Sequence, residues 1–207
     1  GLGAQVRVLA KAAPGIDDRH LGGWDTDFVS SDGDLVEALC TSQGRGARRA
    51  VLLRAGQCRI IDGGNTTRSR ELGRYLIVPD PALVRARALG YLADLVDGGL
   101  VHPRISWLTS DDAAACQRLA SDKIRPAAVL AIEHVAAFDP KTLKPLVRST
   151  PHSGLTIMTR GVQLDVERLR RKLATTQDPS APELVLGVFR GQDRSVAVLT
   201  RRLGPTT

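Results

Sequence analysis

Leu155 to Leu173 reads LTIMTRGVQLDVERLRRKL, and this stretch decides what kind of fold the chain can adopt. Leu155 and Ile157, within an apolar run, suit a half-buried strand. Gly161 supplies the backbone freedom that a tight exit turn needs. Asp165 is placed to cap a helix, and Glu167 favours its positive end. Val166, Leu169 and Leu173 recur at helical spacing and share one face. Arg168, Arg171 and Lys172 then fall on the opposite face, with Arg170 at the flank. The stretch predicts strand, glycine turn and basic amphipathic helix. Charge outside is also what any solvated helix carries, so the rest of the chain must decide its meaning.

The same order recurs upstream. Ala127 to Ala136 reads as a strand, Asp139-Pro140 as a cap and first helical residue, and a helix follows to Val147. Leu143, Leu146 and Val147 form its apolar face and Lys141, Lys144 and Arg148 its basic one. Pro145 removes a helical hydrogen bond, which costs about 3 kcal/mol, and predicts a short or kinked helix. Earlier still, Tyr75 to Val78 is a strand, Asp80-Pro81 repeats the cap, and a helix is expected over Pro81 to Val96, stopped by Gly98-Gly99. Three strand–Asp–helix units predict an α/β layer fold. Between them Arg104 to Thr109 reads as a strand and Asp111 to Asp122 as a helix. Asp111-Asp112 is taken there as a helix-start cap, not a catalytic pair. Glu183 to Phe189 and Ser195 to Arg201 close the chain as a hairpin across Gly191-Gln192-Asp193.

Residues 1–61 have a different texture. Val6 to Ala12 reads as a strand ended by Pro14-Gly15. Asp27 to Ser30 and Leu35 to Cys40 flank Asp32-Gly33, a two-residue hairpin signal. Ala47 to Leu53 and Cys58 to Ile61 form a second hairpin across Ala55-Gly56. Consecutive antiparallel strands of this kind match the tail of a cofactor-binding α/β domain, not a complete one. Gly63 to Arg70, GGNTTRSR, is polar, glycine-bearing and without periodicity, so the domain boundary is expected there.

Charge is distributed unevenly. Residues 1–139 carry equal numbers of basic and acidic side chains, so the whole net charge of +7 lies in residues 140–207. A lopsided basic segment points to a polyanion, most often nucleic acid. Aromatic residues are only 3%, too few for base-stacking platforms, so phosphate contact and the shape of folded RNA fit better. No apolar run approaches a membrane span, and no signal peptide is visible. Cys40, Cys58 and Cys116 lie far apart, which excludes a disulfide framework and suits a cytoplasmic location. His20, His102, His134 and His152 have no metal-like spacing and read as surface or turn residues. GxxxxGK[ST], HExxH and GxSxG are absent, and Gly1-Leu2-Gly3 has no preceding strand and reads as accidental. No complete catalytic site and no metal site is expected. The chain begins at Gly1 rather than Met, as a piece of a longer protein would.

From Glu71 to Arg202 the order of motifs resembles the THUMP-like domain at the C-terminus of certain bacterial class I S-adenosylmethionine-dependent methyltransferases. The residues carrying the resemblance are Gly73-Arg74-Tyr75-Leu76, Pro79-Asp80-Pro81-Ala82, Pro103 to Thr109, Phe138-Asp139 before Leu143, Thr159-Arg160-Gly161-Val162, Asp165, and Leu169 to Leu173. Lys11 to Asp17, and Asp27 to Gly33 with Val36-Glu37-Ala38, resemble the last strands of the preceding methyltransferase domain. The resemblance implies an antiparallel strand remnant of a Rossmann-like sheet over residues 1–62, followed by a THUMP-like α/β domain over 71–207. It implies S-adenosylmethionine as cofactor of the full-length parent, with none held by this chain, because the cofactor loop and catalytic motif have no counterpart here. Its implied partners are an upstream methyltransferase domain and RNA, tRNA or rRNA, with no membrane. The expected role is a substrate-docking module in which Arg160, Gly161, Arg168, Arg171, Lys172, Lys141, Lys144 and Arg148 meet RNA. The alternative is a structural or oligomerisation domain with solvated basic faces.

Overall fold

A computed structural model describes residues 6–173 and 178–204. Gly1-Leu2-Gly3 lies outside the described residues. The first sheet is built from β1 (Leu9–Ala12), β2 (Asp25–Ser31), β3 (Asp34–Thr41), β4 (Arg48–Arg54) and β5 (Gln57–Asp62), in the spatial order β1-β3-β2-β4-β5. Both expected hairpins form. Asp32 and Gly33 have φ of 53° and 98°, and Ala55 and Gly56 have 49° and 74°. Two successive positive φ angles match the twist of the flanking strands. The strand expected from Val6 begins only at Leu9. The hairpins are not simply consecutive antiparallel neighbours, because β2 and β4 pair in parallel, Phe28 opposite Ala50.

The second sheet contains β6 (Tyr75–Pro79), β7 (Gly99–His102), β8 (Ile105–Ser110), β9 (Ala127–Ala137), β10 (Leu155–Arg160), β11 (Leu184–Arg190) and β12 (Ser195–Arg202), ordered β10-β11-β12-β9-β6-β8-β7. The architecture is a mixed α/β fold with two sheets and few helices, as expected. β7 was not anticipated: Gly98-Gly99 stops the preceding helix as expected, but the chain then pairs at once with β8.

The helices are α1 (Pro81–Ala86), α2 (Leu89–Leu95), α3 (Ala113–Ala120), α4 (Pro140–Ser149) and α5 (Val166–Leu173). The single helix expected over Pro81 to Val96 is thus two. Arg87 adopts a left-handed conformation (φ 58°), its N–H bonds the carbonyls of Leu83 and Val84, and its own carbonyl accepts from Gly64. The break lets Asn65 pack against Gly90. Asp112 caps α3 through Ala115 N, whereas Asp111 accepts from Arg74 N, so only one of the pair is a cap. Pro145 lies inside α4, which runs on to Ser149, and Pro145 is exposed there.

One apolar cluster joins the two sheets through α1. Phe28, Ala50 and Leu52 from the first sheet meet Ala82, Leu83 and Ala86, and these meet Ile77, Leu108 and Val129 of the second. Each fully buried leucine in such a layer contributes about 1.5–3 kcal/mol. Arg48, Arg85 and Arg87 gather on Asp18 at 3.1, 3.7 and 2.8 Å, fastening the first sheet's entry segment to α1.

The second sheet also curls. Trp107 on β8 meets Phe189 on β11 edge-to-face with ring centroids 5.9 Å apart, although three strands separate them in the sheet order. Leu76, Leu130, Val185 and Val198 fill the concave side. Gly187 allows the approach, since a Cβ there would sit 2.9 Å from Val198 and 3.5 Å from Trp107.

Candidate nucleic-acid interface

β9, β10 and β11 run in the same direction, with β12 antiparallel between β11 and β9. The carboxyl ends of three strands and the start of β12 therefore share one rim of the sheet. The register is explicit: Arg160 lies opposite Phe189, Arg190 opposite Ser195, and Val196 opposite Ala137. Helices α4 and α5 both begin at this rim and return over the same face. Leu143 and Val147 of α4 and Leu169 and Leu173 of α5 are buried against Leu184, Leu186 and Val188.

Both helix starts are closed by an aspartate. Asp165 accepts from Arg168 N at 2.9 Å, as the sequence predicted, and Asp139 accepts from Lys141 N at 3.0 Å. A carboxylate at the first turn satisfies amides that have no partner within the helix.

With the apolar faces inward, Arg168, Arg171 and Lys172 on α5 and Lys141, Lys144 and Arg148 on α4 are all exposed. Among the described residues none of the six has a carboxylate within ion-pair distance, whereas Arg170 is bridged to Glu167 at 2.6 Å. The two helices pack side by side, so the six cations occupy a common outer layer. Lys141 and Arg168 lie in the first turns, nearest the rim, and Lys144, Arg148, Arg171 and Lys172 further along.

Arg160 and Gly161 occupy the rim itself. Gly161 has φ of 66°, and a Cβ there would lie 2.5 Å from Ile105 Cδ1. Its glycine therefore answers both the turn and the curling of the sheet. Two further arginines gather here that the sequence reading left out. Arg190 ends β11 and Arg194 precedes β12, on either side of the closing turn. The segment RGQDR, with a base at each end of a hairpin turn, was the available signal.

Among the described residues no group of histidine, cysteine or acidic side chains is arranged to hold a metal. His152, read as a surface or turn residue, lies in the connection between α4 and β10 but is buried, with Nδ1 2.7 Å from the Thr150 carbonyl. Cys40 and Cys116 are buried and Cys58 exposed, all as free thiols. No helix is long and apolar enough to cross a membrane.

The rim, the two capped helices and the closing hairpin coincide with a sequence match: residues 127–202 match the family described as THUMP domain-like. Residues 127–202 carry a THUMP-like domain. Two relatives from Mycobacterium tuberculosis, strains CDC 1551 / Oshkosh and H37Rv, are each named an uncharacterized S-adenosylmethionine-dependent methyltransferase. Each is 29% identical over 176 residues, covering 80% of this chain and 46% of the relative. A crystal structure from Porphyromonas gingivalis W83, provisionally described as a methyltransferase, superimposes with a TM-score of 0.66 at 20% identity. It covers 95% of this chain and 51% of that one. That likeness shows a shared fold. The chain spans about half the length of these proteins.

The described residues do not form the kind of cradle that holds S-adenosylmethionine. A dinucleotide-type cradle needs a strand, a glycine-rich loop and a helix with free amides. In the first sheet the hairpin connections are two-residue turns, and the β10–α5 connection, the nearest approach to such a unit, has its helix amides closed by Asp165.

Proposed function

We propose that this chain is the substrate-docking part of an S-adenosylmethionine-dependent methyltransferase, and that its ligand is RNA. On this reading the chain divides at residues 63–70, where it passes from one sheet to the other. Residues 1–62 are then the last strands of a methyltransferase domain, and residues 71–207 form the docking domain. The methyl-transfer site belongs to the part of the relatives' length that this chain does not span.

The observation that carries the proposal is the unneutralised cation layer on α4 and α5. Elsewhere the chain pairs many of its arginines: Arg48, Arg85 and Arg87 on Asp18, Arg49 on Asp27, Arg59 on Asp122. On the outer faces of α4 and α5, Lys141, Lys144, Arg148, Arg168, Arg171 and Lys172 have no such partners among the described residues. Clustered cations without counter-charges repel one another, and a polyphosphate ligand relieves that repulsion while releasing its own condensed ions. The THUMP-like match over the same residues supports the choice of RNA.

The deciding experiment is recovery and sequencing of nucleic acid bound to the chain, followed by fluorescence anisotropy with total tRNA and with rRNA fragments. Binding of neither would leave the cations as a solvated surface and favour a structural role.

A further inference from the structure

The rim holds a cleft of about 300 Å³ between Gly161 and the turn that joins β11 to β12. We infer that this cleft is a phosphate-binding subsite in which Arg190 and Arg194 hold a backbone phosphate of an RNA strand. The inference rests on the docking reading above and adds a site outside the two helix faces.

Register puts the cations there. The paired ends of β10 and β11 set Arg160 opposite Phe189, which brings the next residue, Gly161, alongside Arg190: a Cβ built on Gly161 would lie 3.4 Å from Arg190 Cβ. Arg160, Arg190 and Arg194 are exposed, and among the described residues none has a carboxylate within ion-pair distance. Asp193 also lines the cleft but bridges none of them, so the lining holds two arginines, Arg190 and Arg194, against one carboxylate. A guanidinium offers a rigid fork of donors that matches two phosphate oxygens at once.

The walls suit the same ligand. Gln163, Gln192 and Ser195 add neutral hydrogen-bonding groups at the lining. Gly161 and Gly191 keep the backbone bare; at Gly191 a Cβ would fall 2.6 Å from the Arg194 carbonyl oxygen. A cleft of this size is at the lower bound for small-ligand sites and takes a phosphate with part of its sugar rather than a whole large cofactor. The helix starts at this rim are already occupied by Asp139 and Asp165, so an anion arriving there meets the arginines and not the helix amides.

The test uses the full chain, wild type and R190Q/R194Q, with circular dichroism as the folding control. Inorganic phosphate is titrated at constant ionic strength while the amide resonances of Gly161 and Gly191 are followed. Saturable shifts are expected in the wild type and not in the variant. With total tRNA, the variant should bind about tenfold more weakly, and its slope of log affinity against log salt should be shallower by about 0.7–0.9, as for one lost phosphate contact. Wild-type tRNA binding that R190Q/R194Q leaves unaltered in affinity and slope overturns the subsite and spares the docking reading. Absence of tRNA binding by the wild type overturns the docking reading instead. The phosphate titration then decides the cleft: saturable, arginine-dependent shifts uphold it as a phosphate site, and their absence overturns it.

Discussion

The Oγ of Ser30, on the first sheet, donates a 2.7 Å hydrogen bond to Oδ2 of Asp80 at the head of α1, and both residues are buried. Asp80 Oδ1 meanwhile accepts from Ala82 N at 2.8 Å. One carboxylate thus caps a helix and ties two sheets together. Burial raises its pKa above the usual carboxylate value, with the bonds from Ser30 and Ala82 opposing.

That direction makes a pH prediction. Between the ordinary aspartate pKa and the raised folded one, the native state binds more protons than the unfolded chain. Asp80's contribution therefore declines as pH rises through this window and levels off above it. Asp80→Asn does not titrate. The stability of wild type relative to D80N should be larger near pH 4 than at pH 7, measured by urea unfolding at both. Asp80→Ala should destabilise at both, by about 1 kcal/mol for the cap and about 1–3 kcal/mol more for leaving Ser30 Oγ unpaired. A pH-independent difference between wild type and D80N would show that Asp80 is not perturbed.

Gly161 combines two constraints that can be separated. Gly161→Ala should lose about 1–2 kcal/mol from the left-handed backbone alone, plus a steric part from Ile105 Cδ1, 2.5 Å from the new Cβ. Ile105→Val removes that methyl group. The G161A/I105V double variant should therefore be less destabilised than the sum of the two single variants. Strict additivity in urea unfolding would mean that Ile105 moves aside freely.

On the helix faces, changing Arg168 and Arg171 together to Glu should weaken tRNA binding more than tenfold and flatten its salt dependence. The fold should survive, because Leu169 and Leu173, 2% and 0% exposed, point the other way. Anisotropy at two or more salt concentrations, with circular dichroism alongside, measures both. A folded R168E/R171E variant with wild-type affinity removes α5 from the interface.

Calorimetric titration of the chain with S-adenosylmethionine should show negligible heat, since the described residues provide no strand, glycine loop and open helix start for it. Micromolar binding would place a cofactor site in the first sheet.

The sequence by itself determined the local grammar of this protein. Asp80, Asp139 and Asp165 cap helices, and Asp32-Gly33 and Ala55-Gly56 turn hairpins, because capping and turn formation depend on a few adjacent residues. The apolar spacing of Leu169 and Leu173 likewise named the buried face of α5 in advance. Long-range pairing was not legible in the same way. Nothing near Phe28 or Ala50 states that their strands run parallel, and nothing near Arg87 announces that Gly64 will take its carbonyl and divide the expected helix. The curling that brings Trp107 to Phe189 depends on Gly187 being empty of side chain at a distant point of the sheet. The rim shows the same division. Arg160 and Gly161 could be singled out from their own strand–turn–helix, but Arg190 and Arg194 join them only because β10 and β11 pair in parallel. Backbone hydrogen bonding between strands is blind to side-chain identity, so which arginines become neighbours was decided by the sheet and not by the segments that carry them.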